Sequence, residues 1–153
     1  MQYSLKAEEL AQLFIAIAGL YFQPLHIALW LWPILFLAPD LGMLGYLAGT
    51  RTGALTYNLL HHKAVALLLI GFGYWLSIPV ILLSGLLLYA HSSFDRVLGY
   101  GLKYPDAFRH THLGWLLYLI GICGYFRLIL WWMLPSKSLS LLKQQNFKMA
   151  NFK

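Results

Sequence analysis

His91 and Asp95 stand four residues apart, Asn58 and His61 stand three apart, and Asp40 directly follows Pro39. A spacing of three or four places two side chains on one helix face, about one turn apart. His62 is four from Asn58, so either histidine of that pair can share its face. Imidazole nitrogen and carboxylate oxygen are ligands for zinc, iron or manganese. A pair at i, i+4 is a familiar way for one helix to present two of them. Asp95 can serve instead as the partner that orients His91. The competing reading is a hydrogen-bonded buried network that fixes helix register, with Asp95 paired to Arg96 or Lys103.

The elements that must position these residues follow from composition. The chain has 153 residues, 60% apolar and only 10% charged. Soluble domains carry about a quarter charged residues. Disorder, a coiled coil and a disulfide scaffold are all excluded, and a small all-α polytopic membrane bundle is expected. The single cysteine, Cys123, lies in an apolar run and reads as a small buried hydrophobe. The net charge of +6 is scattered, with Lys137, Lys143, Lys148 and Lys153 in a C-terminal tail. That suits anionic lipid and the positive-inside rule rather than nucleic acid. The N-terminus lacks a basic start and a small-residue cleavage site, and no removed signal peptide is expected.

Five apolar segments appear: Leu10 to Phe22 (short unless it reaches back to about Ala7), Leu25 to Gly49, about Gly53 to Leu76, Pro79 to about Tyr100, and Leu113 to Leu134. About 20 helical residues cross a bilayer core, and the last four segments reach that length. The expected division is a four-helix core over residues 1–114, a transmembrane or membrane-packed helix over 115–134, and a basic tail over 135–153. Lys6, Arg51, Lys103 and Arg109 fall on one side, which makes the N-terminus cytoplasmic. Tyr21, Trp30, Trp32, Tyr74 and Trp75 gather near the other face. The fifth segment departs from this pattern, because crossing would place Arg127 in the membrane and the tail outside.

Depth then groups the polar residues. At 1.5 Å per residue, Asp40, His61 and His91 lie about 12–13 Å from the cytoplasmic ends of their segments, and Asn58 and Asp95 about 8 Å. These five form one layer, below a loop that bears His110 and His112. Charged groups at such depths are costly and usually face a protein interior or a cavity. Pro39 removes a backbone donor and disturbs the helix at Asp40. Gly42, Gly45, Gly49 and Gly53 allow close helix approach beside it. His26 stands apart near the far side and reads as interfacial.

Four spaced stretches carry a resemblance. They are Leu37 to Gly49 around Pro39-Asp40, Tyr57 to His61, Ala90 to Pro105 around His91 and Asp95-Arg96, and Phe108 to Gly114 around His110-Thr111-His112. Together they resemble a family of small bacterial membrane proteins classed as domain of unknown function 4260, over roughly Leu10 to Gly114. The resemblance implies a shared motif set of Asp40, Asn58, His61, His91, Asp95, Arg96, Lys103, Tyr104 and His112. It favours His61 over His62 and His112 over His110, and it implies a bacterial inner-membrane location. It supplies no reaction.

The first functional expectation is a membrane-embedded metalloenzyme acting on a lipid or another apolar substrate. A divalent metal (zinc, iron or manganese) would be held by His61, His91, His112 and a carboxylate, Asp40 or Asp95. The other carboxylate, with Asn58 nearby, would act as general base. Arg96 and Lys103, with Tyr100 and Tyr104, would hold a phosphate or carboxylate head group at the cytoplasmic interface. The same ligands holding iron would support oxygen chemistry. A haem carrier, a proton or solute pathway and a structural subunit are the alternatives. A homodimer fits the small enclosed volume. P-loop, Rossmann and serine-triad motifs are absent from the sequence.

Overall fold

Proline and glycine punctuate this chain, and its helices break where they fall. The computed structural model describes residues 2–115. α1, Gln2–Phe22, stops before Pro24, and the Gln23 side chain turns the corner by bonding both backbone groups of Leu25. After a single 3-10 turn at Leu29–Leu31, α2 covers only Trp32–Leu37. An eleven-residue 3-10 helix, Ala38–Ala48, then takes over. Pro39 has no N–H and its ring crowds the preceding turn, so the α-helical ladder gives out there.

Runs of 3-10 helix beyond three or four residues are uncommon, and they superpose side chains three apart. Here that periodicity has a use. Pro39, Gly42, Gly45 and Ala48 recur every third residue and make a smooth seam. α3, Thr50–His61, packs into it. A Cβ at Gly45 would lie 2.1 Å from Thr56 Oγ1, and one at Gly53 would lie 2.2 Å from the Tyr46 ring. Thr56 Oγ1 donates to the Gly42 carbonyl at 2.6 Å, recovering one acceptor. Of the four glycines expected to allow close approach, Gly49 serves differently. Nothing lies near its absent Cβ, and its φ of +131° turns the chain into α3.

The third apolar segment is not one helix, as its length suggested, but two. α3 ends at His61, His62 adopts an extended conformation, and α4 runs over Lys63–Trp75. His62 Nδ1 accepts from Ala64 N at 3.2 Å, so the imidazole caps α4. The two helices meet at a 44° bend. A tight turn at Ser77 then leads to Pro79 at the start of α5, Pro79–Leu98. Gly99, at φ +94°, ends that helix, with Tyr100 N donating to the Asp95 carbonyl at 2.8 Å.

α5 is the spine. It packs against α1, α2, α3 and α4. Ala16 and Leu20 of α1 meet its Leu83, Leu87 and Ala90 in the apolar core. A Cβ at Gly73 of α4 would lie 2.3 Å from the Leu82 backbone nitrogen. Backbone cannot yield there as a flexible side chain can. Gly73→Ala is therefore expected to cost about 2–3 kcal/mol through overpacking, read as a lower unfolding midpoint in detergent. An unchanged midpoint would contradict this close approach.

After Gly99 the chain forms a small β element. Lys103 bridges Thr111, and β1 (His110–Thr111) pairs antiparallel with β2 (Gly114–Trp115). The fifth apolar segment was expected to start at Leu113, but its first residues lie at and within β2. The rest of that segment, with Cys123 and Arg127, and the tail lie outside the described residues. The described fold is otherwise all-α. One helical stretch, Leu29–Ala48, is long and apolar enough to cross a membrane, and α3 with α4 qualifies as a single bent span.

Candidate metal centre

The broken helices aim four side chains at one point. Asp40 comes from the first turn of the 3-10 helix, His61 from the last turn of α3, and His91 and Asp95 from one face of α5. One ligand atom from each lies within 4.8 Å of all the others. Asp40 Oδ1 is 3.6 Å from His61 Nε2 and 3.4 Å from His91 Nε2. Asp95 approaches the same two nitrogens at 3.5 and 3.8 Å.

These separations suit an ion-paired or metal-binding group better than a hydrogen-bonded network. N–H···O bonds run at about 2.7–3.2 Å, so these pairs are too long. Neither Nε2 has a hydrogen-bond partner among the described residues. Ligands about 2.0–2.1 Å from a tetrahedral metal stand about 3.3 Å apart, which is near the observed spacing. The tautomer agrees. His61 Nδ1 is 2.9 Å from the Tyr57 carbonyl, which can only accept, so Nδ1 carries the proton. In a neutral ring, Nε2 then points a lone pair at two carboxylates. Such a set is repulsive until a proton or a metal cation sits among it.

Burial grades across the group. His61 and His91 are 3% and 2% exposed, while Asp40 and Asp95 retain 18% and 14%. The imidazoles form the floor and the carboxylates the rim. A tight crevice beside the rim, too narrow for a water molecule, is lined by Tyr57, His61, Asp95, Arg96 and Tyr100.

The four side chains are themselves held. Tyr57 is 1% exposed, stacks on His61 at 3.7 Å between ring centroids, and donates from its hydroxyl to Asp95 Oδ2 at 2.8 Å. Metal-binding residues are typically oriented by such outer partners. Phe36 meets the edge of His91 at 5.2 Å.

A family model described as a domain of unknown function, DUF4260, matches residues 2–116. The chain belongs to the DUF4260 family. No curated protein and no solved structure matches it.

The DUF4260 site holds four of the residues that sequence reasoning singled out as ligands, Asp40, His61, His91 and Asp95. It does not bring His112 into the group. That ring stands by the loop, where its Nδ1 accepts from Leu102 N at 2.8 Å. Nor does Asn58 reach the four. Its amide clasps the Lys103 backbone in both directions, at 2.8 and 2.7 Å, and ties α3 to the loop. Asn58→Ala is expected to cost about 1–3 kcal/mol, since it strands two backbone groups. Hydrogen exchange over residues 101–112 should rise in that variant, and unchanged protection would show that the clasp is unimportant.

Lys103 turns inward rather than toward an interface. It is 3% exposed, with Nζ 4.1 Å from the Phe108 ring centroid and 5.0 Å from that of Tyr57. Tyr104 is largely exposed beside His110. His110 donates from Nδ1 to Asp106 at 2.7 Å and holds that carboxyl below the usual carboxylate range. Arg96 and Tyr100 line the crevice, and Arg96 lies 3.9 Å from Glu9 of α1.

Sequence reasoning missed Tyr57 as a site residue, although its position four before His61 signals a shared face. It also missed the network of Glu9, Gln12, Lys63 and Tyr89. Lys63 bonds both Glu9 and Gln12, and Tyr89 donates to Gln12 at 2.9 Å. Glu9 and Gln12 lie near the start of the first apolar segment, where nothing in the pattern marks them as inward-facing.

Proposed function

We propose that this protein is a multi-pass membrane protein whose Asp40, His61, His91 and Asp95 bind a divalent metal and use it in an enzymatic reaction on a lipid or other apolar substrate. One observation carries the reading: two unpartnered imidazole nitrogens and two carboxylates converge at 3.4–3.8 Å without bonding one another.

The membrane part has independent support. Large apolar side chains lie outward on every long helix, among them Phe14, Ile15, Trp30, Leu68, Trp75 and Val80. A soluble monomer rarely exposes so many large apolar side chains. Converting α2 and its 3-10 continuation to length gives about 31 Å, against about 26 Å for the same residues as α-helix. A bilayer core is about 30 Å. α5 alone gives about 30 Å. Glu9 of α1, Lys63 of α4 and Arg96 of α5 meet one another in a network, which lowers the cost of placing those three charges there.

A divalent ion in this donor set would supply Lewis acidity and a more acidic water at neutral pH. The protein's part is positional. The two imidazoles anchor the floor. The partly exposed carboxylates form the rim, where either can hold a proton taken from water. His61 and Asp95 also line the crevice beside Arg96 and Tyr100, so an opening on that side would expose the ion. A haem is disfavoured, since the His61 and His91 rings meet edge to face at 5.0 Å and leave no slot for a porphyrin between them.

Elemental analysis of the full chain, purified in mild detergent without chelator, tests this reading. About one zinc, iron or manganese per chain is expected. A metal-free protein that also fails to take up any of these ions on titration would overturn it.

A further inference from the structure

The break in the helix at Pro39 leaves a backbone group over, and one of the four site rings stands where it can use it. α2 gives way to the 3-10 helix between Leu37 and Ala38, and Ala38 N already donates to the Leu35 carbonyl, three residues back. In 3-10 pairing each carbonyl accepts from the residue three on. For Phe36 that residue is Pro39, which has no N–H to give. Asp40 N, the α-helical donor for Phe36, falls to Leu37 in the same register. The Phe36 carbonyl is therefore left without a backbone donor.

His91 has the complementary need. Its ring is 2% exposed, its Nε2 faces Asp40 and Asp95, and its Nδ1 has no formed hydrogen bond among the described residues. The backbone acceptor that bears on this ring is the Phe36 carbonyl. The Phe36 side chain comes in beside it and meets the edge of the imidazole at 5.2 Å. Buried backbone and ring groups left without partners are costly, and these two answer each other. A carbonyl can only accept, so a bond between them puts the proton on Nδ1 and the lone pair on Nε2. His61 is already held in this way by the Tyr57 carbonyl at 2.9 Å. A histidine that binds metal through one nitrogen commonly donates its other N–H to such a carbonyl, and a cation on Nε2 makes Nδ1 the stronger donor.

We propose that Pro39 is a positioning residue of the centre: by withholding a backbone N–H it reserves the Phe36 carbonyl for His91 Nδ1, which presents Nε2 to the metal. This gives the proline a role beyond the direction of Asp40. The proposal rests on the metal-binding reading for its purpose, but the contact between carbonyl and ring can be observed with or without metal, so the two can fail separately.

The test uses the full chain, with 13C at the phenylalanine carbonyls and 15N in the histidine rings. Dipolar transfer between the two labels is read in lipid bilayers, metal-free and with zinc, and zinc affinity is read in detergent by chelator competition. Transfer to a protonated Nδ1 of His91 is expected in the parent. It should vanish in Phe36→Leu, which keeps the carbonyl and removes only its label. Pro39→Ala restores the N–H, so it is expected to lose the transfer and to weaken zinc binding about ten- to a hundredfold. Pro79→Ala, at the start of α5, should bind zinc as the parent does. No transfer in the parent overturns the proposal. So does a Pro39→Ala variant that keeps the transfer, even with weaker zinc binding, since the proline would then act through Asp40 alone. Lost transfer with unchanged affinity overturns it as well. Should Pro39→Ala fail to fold, the parent's transfer still decides. If the chain takes up no zinc, the metal reading falls, and the pairing stands only if the transfer is present in the parent and lost in Pro39→Ala.

Discussion

His61→Ala and His91→Ala are each expected to reduce bound metal from about one per chain to a trace, and to weaken uptake on titration by more than about a hundredfold. The magnitude follows from the donor set. Changes to residues that merely orient ligands already cost ten- to a hundredfold in metal affinity, so loss of a ligand must exceed that. Either substitution also hollows a buried site, since both rings are at most 3% exposed. Gln at the same positions restores part of the volume without an imidazole, and it separates packing from ligation. Asp40→Asn goes further, keeping shape while deleting the charge. The expected pattern is metal lost in all of these variants while helical content holds in the Gln and Asn forms. The competing reading, in which the polar group only fixes helix register, predicts lower unfolding midpoints and unchanged metal content. That second pattern, measured by elemental analysis beside thermal unfolding, would sink the metal centre.

How far the sequence alone carries one toward this site depends on which feature is asked about. Scarcity makes the ligands legible. In a chain with so few polar groups, helix depth placed Asp40, His61, His91 and Asp95 in one layer, and the described residues bring these four together. The spacing of His91 and Asp95 works because α5 is a regular helix whose start and stop are written in Pro79 and Gly99. Elsewhere the arithmetic assumed helices that do not exist. His62 breaks α3 from α4 by capping the second helix with its own ring, which no hydropathy window registers. The 3-10 helix over Ala38–Ala48 arises from Pro39 together with a three-residue recurrence of small side chains, and that recurrence is visible only once the partner helix is known. His112 and Asn58 sit near the right depth, but depth does not fix direction. The loop's backbone needed partners, and these two side chains supply them.

Tyr57→Phe is expected to weaken metal binding ten- to a hundredfold while leaving the fold nearly as stable. The substitution keeps the ring, hence the stack on His61, the face presented to Lys103 and the burial, and it removes one oxygen. What is lost is the hydrogen bond to Asp95 Oδ2 at 2.8 Å. In a purely structural network that loss costs about 1 kcal/mol in stability and nothing more specific. In a metal centre it frees a carboxylate on the rim, where Asp95 keeps more exposure than the imidazoles. The effect should therefore appear in metal affinity, measured by competition with a chromophoric chelator, rather than in the unfolding midpoint. Asp95→Asn supplies the internal control, because it removes the charge that Tyr57 orients. If Asp95 is a ligand and Tyr57 acts through it, the double variant should bind metal no worse than Asp95→Asn alone. Additive losses would mean that the Tyr57 hydroxyl acts on the centre by a route other than Asp95. An affinity unchanged in Tyr57→Phe would remove Asp95 from the set of ligands that need holding, and would leave Asp40 as the carboxylate on which the centre depends.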